Sequence, residues 1–319
     1  MKIRLSPEEV ALVATFAALS AIVIKILPGI PIVGVSGANI KFDAVLAPVY
    51  GMIIGPYLGF LAALVGGVIT AGSPFDILTS FAPAVSALVA GFLTQRSVGS
   101  KGGRIKGWML ASAVLGLLIF GWYLTDIGQR APFYPVLHVA ALGLMILAGN
   151  RIASAFKEGE TAEESRKMRP ALYVGGIIIF MVAIVFAMPY SSSVWILPLL
   201  PLPMFLMGGT LIVYGLFGIG KSAFVFAVSA ASYCGIMADH MLGNLVFIGS
   251  INVFIPFSVV NDYFLKPVGL PDVSSLFMYM IPVSAAERLM FTLVATILGV
   301  GLILAIRRAN LPTRKSQFF

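Results

Sequence analysis

Residues 281–308 read IPVSAAERLMFTLVATILGVGLILAIRR: an acid–base pair near the start, no charged residue across 289–306, then two arginines. A helix rising ~1.5 Å per residue needs an apolar run of about that length to cross ~30 Å of hydrocarbon. Comparable runs recur along the 319-residue chain, so the predicted fold is an all-α polytopic integral membrane protein. Composition agrees, with 59% hydrophobic and 11% charged residues and a mean hydropathy of +1.01. A water-soluble domain carries about a quarter charged residues. The runs are continuous and do not alternate at every second residue, which excludes an outer-membrane barrel.

The runs predict ten spans, at roughly 8–27, 43–55, 57–72, 76–95, 107–126, 133–150, 171–189, 194–217, 222–246 and 281–306. The second and third are short and joined only by Gly55-Pro56, as in a re-entrant hairpin or two tilted helices. Pro198, Pro201 and Pro203 are expected to kink the eighth. Residues 1–10 lack a small-residue cleavage site, so the first span reads as a retained helix and not a removed signal peptide. The single cysteine, Cys234, excludes an intramolecular disulfide and a cysteine-based metal site.

The formal charge of +8 falls mostly in short connections, which marks orientation and not nucleic-acid binding. Lys2 and Arg4, then Arg96, Lys101, Arg104 and Lys106, then Arg151, Lys157, Arg166, Lys167 and Arg169, then Lys221, then Arg307, Arg308, Arg314 and Lys315 alternate with poorly charged connections. With ten spans all of these lie on one side. The expected topology is multi-pass in the cell membrane with both termini cytoplasmic; the Gly55-Pro56 turn is too short to carry a charge and gives no orientation. The stretch 151–169 also holds Glu158, Glu160, Glu163 and Glu164, which read as a solvated cytoplasmic helix. It divides the chain into a first membrane block (1–150), a charged cytoplasmic loop (151–170) and a second membrane block (171–319).

Ionisable residues at membrane depth mark cavities, pathways or paired contacts. In this topology Lys25 ends span one outside, Asn39, Lys41 and Asp43 open span two from outside, and Asp76 opens span four. Asp126, Arg130 and His138 flank the outer connection between spans five and six. Asp239 and His240 lie ~25 Å along span nine, with Asn244 one turn on, and Glu287 and Arg288 lie ~9 Å below the outer end of span ten. The two groups can meet in the outer third, as in a pocket that captures a solute from outside. Each also has a plainer reading: Lys41 and Asp43 as interfacial residues, Asp239-His240 as a buried structural pair, Glu287-Arg288 as an internal ion pair, and His138 as a snorkelling or packing residue near the interface. Trp122, Tyr123, Trp195 and Tyr233 could stack on a flat ring or form interfacial belts.

Residues 215–222, GLFGIGKS, satisfy the Walker A pattern letter by letter. A phosphate-cradling loop must follow a buried strand in an α/β sheet, whereas this one joins two apolar spans; Lys221 reads as a positive-inside anchor. In span one, Ala14, Ala17, Ala18 and Ala21 form a smooth strip on which another helix can approach closely. Gly59, Ala62, Ala63, Gly66 and Gly67 do the same in span three.

The first helix with its Ala-xxx-Ala spacing, the outer loop LPGIPIVGVSGANIKFD and the short helices ending GMIIGPYLGFLAALVGGVI together resemble the start of the substrate-capture component of energy-coupling factor transporters. FDILTSFAPAVSALVAGFL resembles that family's fourth helix, and residues 281–308 its last. The resemblance implies a non-enzymatic subunit without a cofactor that captures a vitamin or similar micronutrient near its outer face. Its partners would be a transmembrane scaffold subunit and cytoplasmic ATPases. It would assign Ala14, Ala18 and Ala21 to scaffold contact, and residues 28–43 with the outer helix ends to the solute. Members usually have six spans, so four here are additional. Two other classes fit the charges: a membrane-embedded enzyme using Asp239, His240 and Glu287 on a lipid-linked substrate, and a proton-coupled secondary transporter with Asp239-His240 as relay.

Overall fold

The computed structural model describes residues 6–27, 30–31, 39–40, 42–99, 104–157, 162–187, 201–217 and 222–309. Where a proline occurs early in an apolar run it starts a helix, since the first-turn N–H groups have no intrahelical acceptor to lose. Such starts give α1 (Pro7–Ile26), α3 (Pro56–Thr70), α4 (Pro74–Thr79), α10 (Pro201–Phe217) and α14 (Ile281–Arg308, with Pro282 in its first turn). Between them run α2 (Asp43–Ile54), α5 (Phe81–Leu93), α6 (Gly107–Tyr123), α7 (Asp126–Arg130), α8 (Val136–Lys157), α9 (Ala162–Ala187), α11 (Ser222–Ser250), α12 (Phe257–Val260) and α13 (Val273–Tyr279). A π turn (Asn261–Leu265) and a 3-10 turn (Lys266–Val268) continue α12. Ile30–Pro31 and Asn39–Ile40 pair as a two-residue antiparallel ribbon, β1 and β2, before α2.

Among the described residues five helices are long and apolar enough to cross a membrane: Pro7–Ile26, Pro74–Leu93 (α4 continuing into α5), Val136–Lys157, Ala223–Ser250 and Ile281–Arg308. The apolar helices Asp43–Ile54, Pro56–Thr70 and Gly107–Tyr123, and the stretches Leu172–Met181 and Met204–Val213, are shorter. Pro201 and Pro203 stand in the first turn of α10, where proline costs least, and Pro198 lies outside the described residues. The stretch 151–170 is mostly helical: α8 runs on to Lys157 and α9 begins at Ala162, with only 158–161 between them outside the described residues.

Close backbone approach holds the first helices together. Gly55, at φ +88°, turns α2 into α3, a conformation cheap only for glycine. A Cβ on Gly51 would stand 1.8 Å from the Ala87 carbonyl oxygen, and one on Gly91 2.6 Å from Pro56 Cα. The α2–α3 hairpin therefore presses directly on α5. At the centre lies α11, with 83% of its apolar window buried against 28% for α1; it packs on α2, α5, α6, α8 and α14. One continuous core joins the helices before the charged stretch to α11 and α14 after it. The α9–α10 hairpin is tied by Gly176 facing Gly208 and by Phe180 against Phe205 at 4.9 Å. Its Ala183 and Met204 rest on Ala285 and Ala286 of α14.

Side-chain contacts define two ends of the bundle. At one end Arg307 donates from Nη2 to the Phe156 carbonyl at 2.5 Å, with its guanidinium 5.1 Å from the Phe156 ring and 4.8 Å from that of Phe224. Arg96 donates to Ser154 Oγ (3.1 Å) and Trp108 Nε1 to Asn150 Oδ1 (3.1 Å) at the same end. Since Gly91 near the end of α5 meets Pro56, the uncharged Gly55-Pro56 turn belongs to this basic end. The sequence 215–222 bridges α10 to α11, with helix and not strand before it; 218–221 lie outside the described residues.

Candidate functional site

The opposite end holds the polar residues. Tyr134 sits in the connection from α7 to α8 and is turned inward because both flanks of that connection are tied back: Trp122 Nε1 donates to the Ala131 carbonyl (3.4 Å) and Tyr123 Oη to that of Pro132 (2.9 Å). The Tyr134 ring stacks on Trp122 at 4.8 Å and meets the Phe277 ring edge-on at 4.9 Å. Its hydroxyl accepts from Asn244 Nδ2 (2.9 Å) and lies 3.1 Å from His240 Nε2. The Tyr134 hydroxyl thus bridges Asn244 and His240, with the Ser284 side chain also bonded to it, and the direction of the His240 bond follows the imidazole tautomer.

His240 stacks on His138, ring centroids 5.1 Å apart and 21° from parallel. On the preceding residue, Asp239 Oδ2 lies 3.9 Å from Arg288 Nη1, too long for a hydrogen bond. The Arg288 guanidinium also lies 5.3 Å from the Phe291 ring centre. Its charge acts on Tyr134, His138 and His240, and that of Glu287 acts on Tyr134. Asp43, the buried first residue of α2, is within electrostatic reach of Asp239 and of Tyr50; the Tyr50 hydroxyl accepts from Ser20 Oγ of α1 (3.2 Å).

Little of this cluster reaches the surface: Asp239 is 6% exposed, and His240, Glu287 and Arg288 are each 8% exposed. Even so, His240 Nδ1, Glu287 Oε1 and Arg288 Nε are buried without a hydrogen-bond partner among the described residues. His138 has the Pro135 carbonyl near it but short of hydrogen-bond geometry. Buried polar groups normally find partners, and leaving one unmade costs about 1–3 kcal/mol. The cluster therefore has hydrogen-bonding capacity in reserve: a carboxylate oxygen that accepts, a guanidinium edge that donates and an imidazole nitrogen. Among the described residues no three His, Cys, Asp or Glu side chains converge as metal ligands.

At the rim, Asp272 caps α13 by accepting from the Ser275 N–H at 2.7 Å. That bond holds its carboxyl below the usual range, and Arg130 at the end of α7 adds to the effect. The connection that carries Tyr134 and the one that carries Phe277 are thus drawn together.

The structure gathers Asp239, His240, Asn244, Glu287 and Arg288, with Asp43 at the margin. Asn39 stands in β2 opposite Pro31, and Lys41 lies outside the described residues. Asp76 closes the turn into α4, its carboxylate accepting from Ser73 Oγ (2.9 Å) and the Gly72 N–H (3.3 Å). Ala14 and Ala18 are exposed on α1, Ala21 is half-buried, and Ala17 is buried. His138 is 1% exposed and stacked within the cluster, not a snorkelling residue at the interface. Trp122 is fully buried and so is no interfacial belt residue, while Tyr123 is exposed; Trp195 lies outside the described residues. Tyr134 and Phe277 carried no charge to single them out, and no spacing links residue 134 to residue 240.

Known proteins add little to this. The chain is 29% identical over 126 residues to an uncharacterized protein of Methanocaldococcus jannaschii, a match covering 37% of this chain and 38% of that protein. No protein family and no solved structure matches the chain.

Proposed function

We propose that this protein is the solute-binding membrane subunit of an ATP-driven importer of the energy-coupling factor type, seated in the plasma membrane by ten crossings with both termini cytoplasmic. The observation that carries the reading is the enclosed cluster of unpartnered polar groups, lying at the opposite end of the bundle from Arg96 and Arg307. With the basic end in the cytoplasm, the cluster faces outward, where a capture protein meets its solute. Tyr134, His240, Asn244, Glu287 and Arg288 supply directional contacts, with Asp239 steering Arg288. Asn39, Asp43 and Asp76 are read as contributing to solute entry, as is Lys41, which lies outside the described residues. In this reading the solute is a vitamin or related micronutrient, Ala14, Ala18 and Ala21 meet a transmembrane scaffold, and the α9–α10 hairpin is an addition flanking the binding end. The chain needs no cofactor and performs no hydrolysis of its own.

Two experiments test it. Replacing Asp239 or Glu287 with Ala should weaken solute binding in a protein that still folds, and unchanged affinity in both would remove the site. Cys234 is buried, so single cysteines introduced at the exposed positions Leu124 and Ile105 report topology against a quiet background. Leu124→Cys should react with an impermeant maleimide on intact cells and Ile105→Cys only after permeabilisation. The reverse pattern would invert the bundle and end the importer reading.

A further inference from the structure

Charge balance inside the cluster says something about the solute. Leaving Asp43 aside, two buried carboxylates, Asp239 and Glu287, face one guanidinium, Arg288, among the described residues. That guanidinium stands 3.9 Å from Asp239, and Glu287 Oε1 receives no hydrogen bond among the described residues. An excess of buried negative charge is costly at membrane depth, and its natural complement is a positive charge brought in from outside. An anion would meet two carboxylates for one arginine. A bare divalent metal would need converging ligands, and no three His, Cys, Asp or Glu groups provide them among the described residues. The remaining neighbours, Tyr134, His138, His240 and Asn244, offer hydrogen bonds without fixed charge. The rings of Tyr134, Trp122 and Phe277 pack on one another beside the cluster, and aromatic rings favour organic cations over anions.

We infer that the solute is a small organic cation, its positive charge held by Glu287 and Asp239 and its apolar part resting toward the Tyr134 ring. The inference rests on the solute-binding reading above. Calorimetric titration of the purified full-length chain tests it with charge-matched probes: choline against its uncharged isostere 3,3-dimethylbutanol, and benzylamine against benzyl alcohol and benzoate. The cations should bind at least tenfold more tightly than their neutral partners, and Glu287→Gln should reduce that preference at least tenfold. Asp239→Asn gives a second readout should Glu287→Gln fold poorly. Equal or tighter binding of benzoate or the alcohols, lost in Glu287→Gln, would overturn the cation while leaving the site standing. No binding by any probe, together with no small molecule released in native mass spectrometry, would overturn both.

Discussion

Helix α14 carries Arg288 and Arg307 about 28 Å apart along its axis, and the molecule treats them in opposite ways. Arg307 is satisfied: its guanidinium lies between the Phe156 and Phe224 rings and donates to a carbonyl left open at the end of α8. Arg288 is almost wholly enclosed, yet its nearest carboxylate stands at 3.9 Å and its Nε has no partner among the described residues. One arginine fastens three helix ends. The other is held in a buried polar cluster whose hydrogen bonds are incomplete among the described residues.

The sharpest way to break this contrast is Arg288→Ala, which leaves two buried carboxylates without their cation. Stability in detergent should fall by about 3–5 kcal/mol, read as a lowered midpoint in thermal or denaturant unfolding. Adding Asp239→Asn should recover much of that loss without restoring solute binding. If Arg288→Ala melted like the parent, Arg288 would not be the charge that balances the site. Arg307→Ala should cost about 1–2 kcal/mol, from lost ring and carbonyl contacts, while leaving solute affinity at the parent value; a tenfold loss of affinity would mean the two ends are coupled. Tyr134→Phe keeps the ring stack and removes the hydroxyl shared by His240 and Asn244, so about 1 kcal/mol of stability and several-fold in affinity should go together. Smallest of all, Ser154→Ala removes only the acceptor for the exposed Arg96 and should shift the midpoint by less than about 0.5 kcal/mol.

The sequence showed the helices because hydrocarbon imposes a length and forbids charge over that length, and both are local properties. Every span read from it contains a helix, and the turn at Gly55-Pro56 follows from residues in contact along the chain. The polar pairs Asp239-His240 and Glu287-Arg288 were visible for the same reason, as rare ionisable residues in apolar runs. Tyr134 was not, since an aromatic residue in a short connection looks like any interfacial tyrosine. His138 was discounted because nothing in its neighbourhood names residue 240.

By itself, then, the sequence determined an all-α membrane protein and which few residues had to be explained at membrane depth. Only the tertiary structure decided which of those residues share a buried cluster, that α11 stands at the centre, and that one arginine is fastened while the other is left short of partners among the described residues. Hydropathy is summed along the chain, whereas a binding chamber is made of distances between helices, and these depend on glycine contacts and ring stacking between positions far apart in sequence.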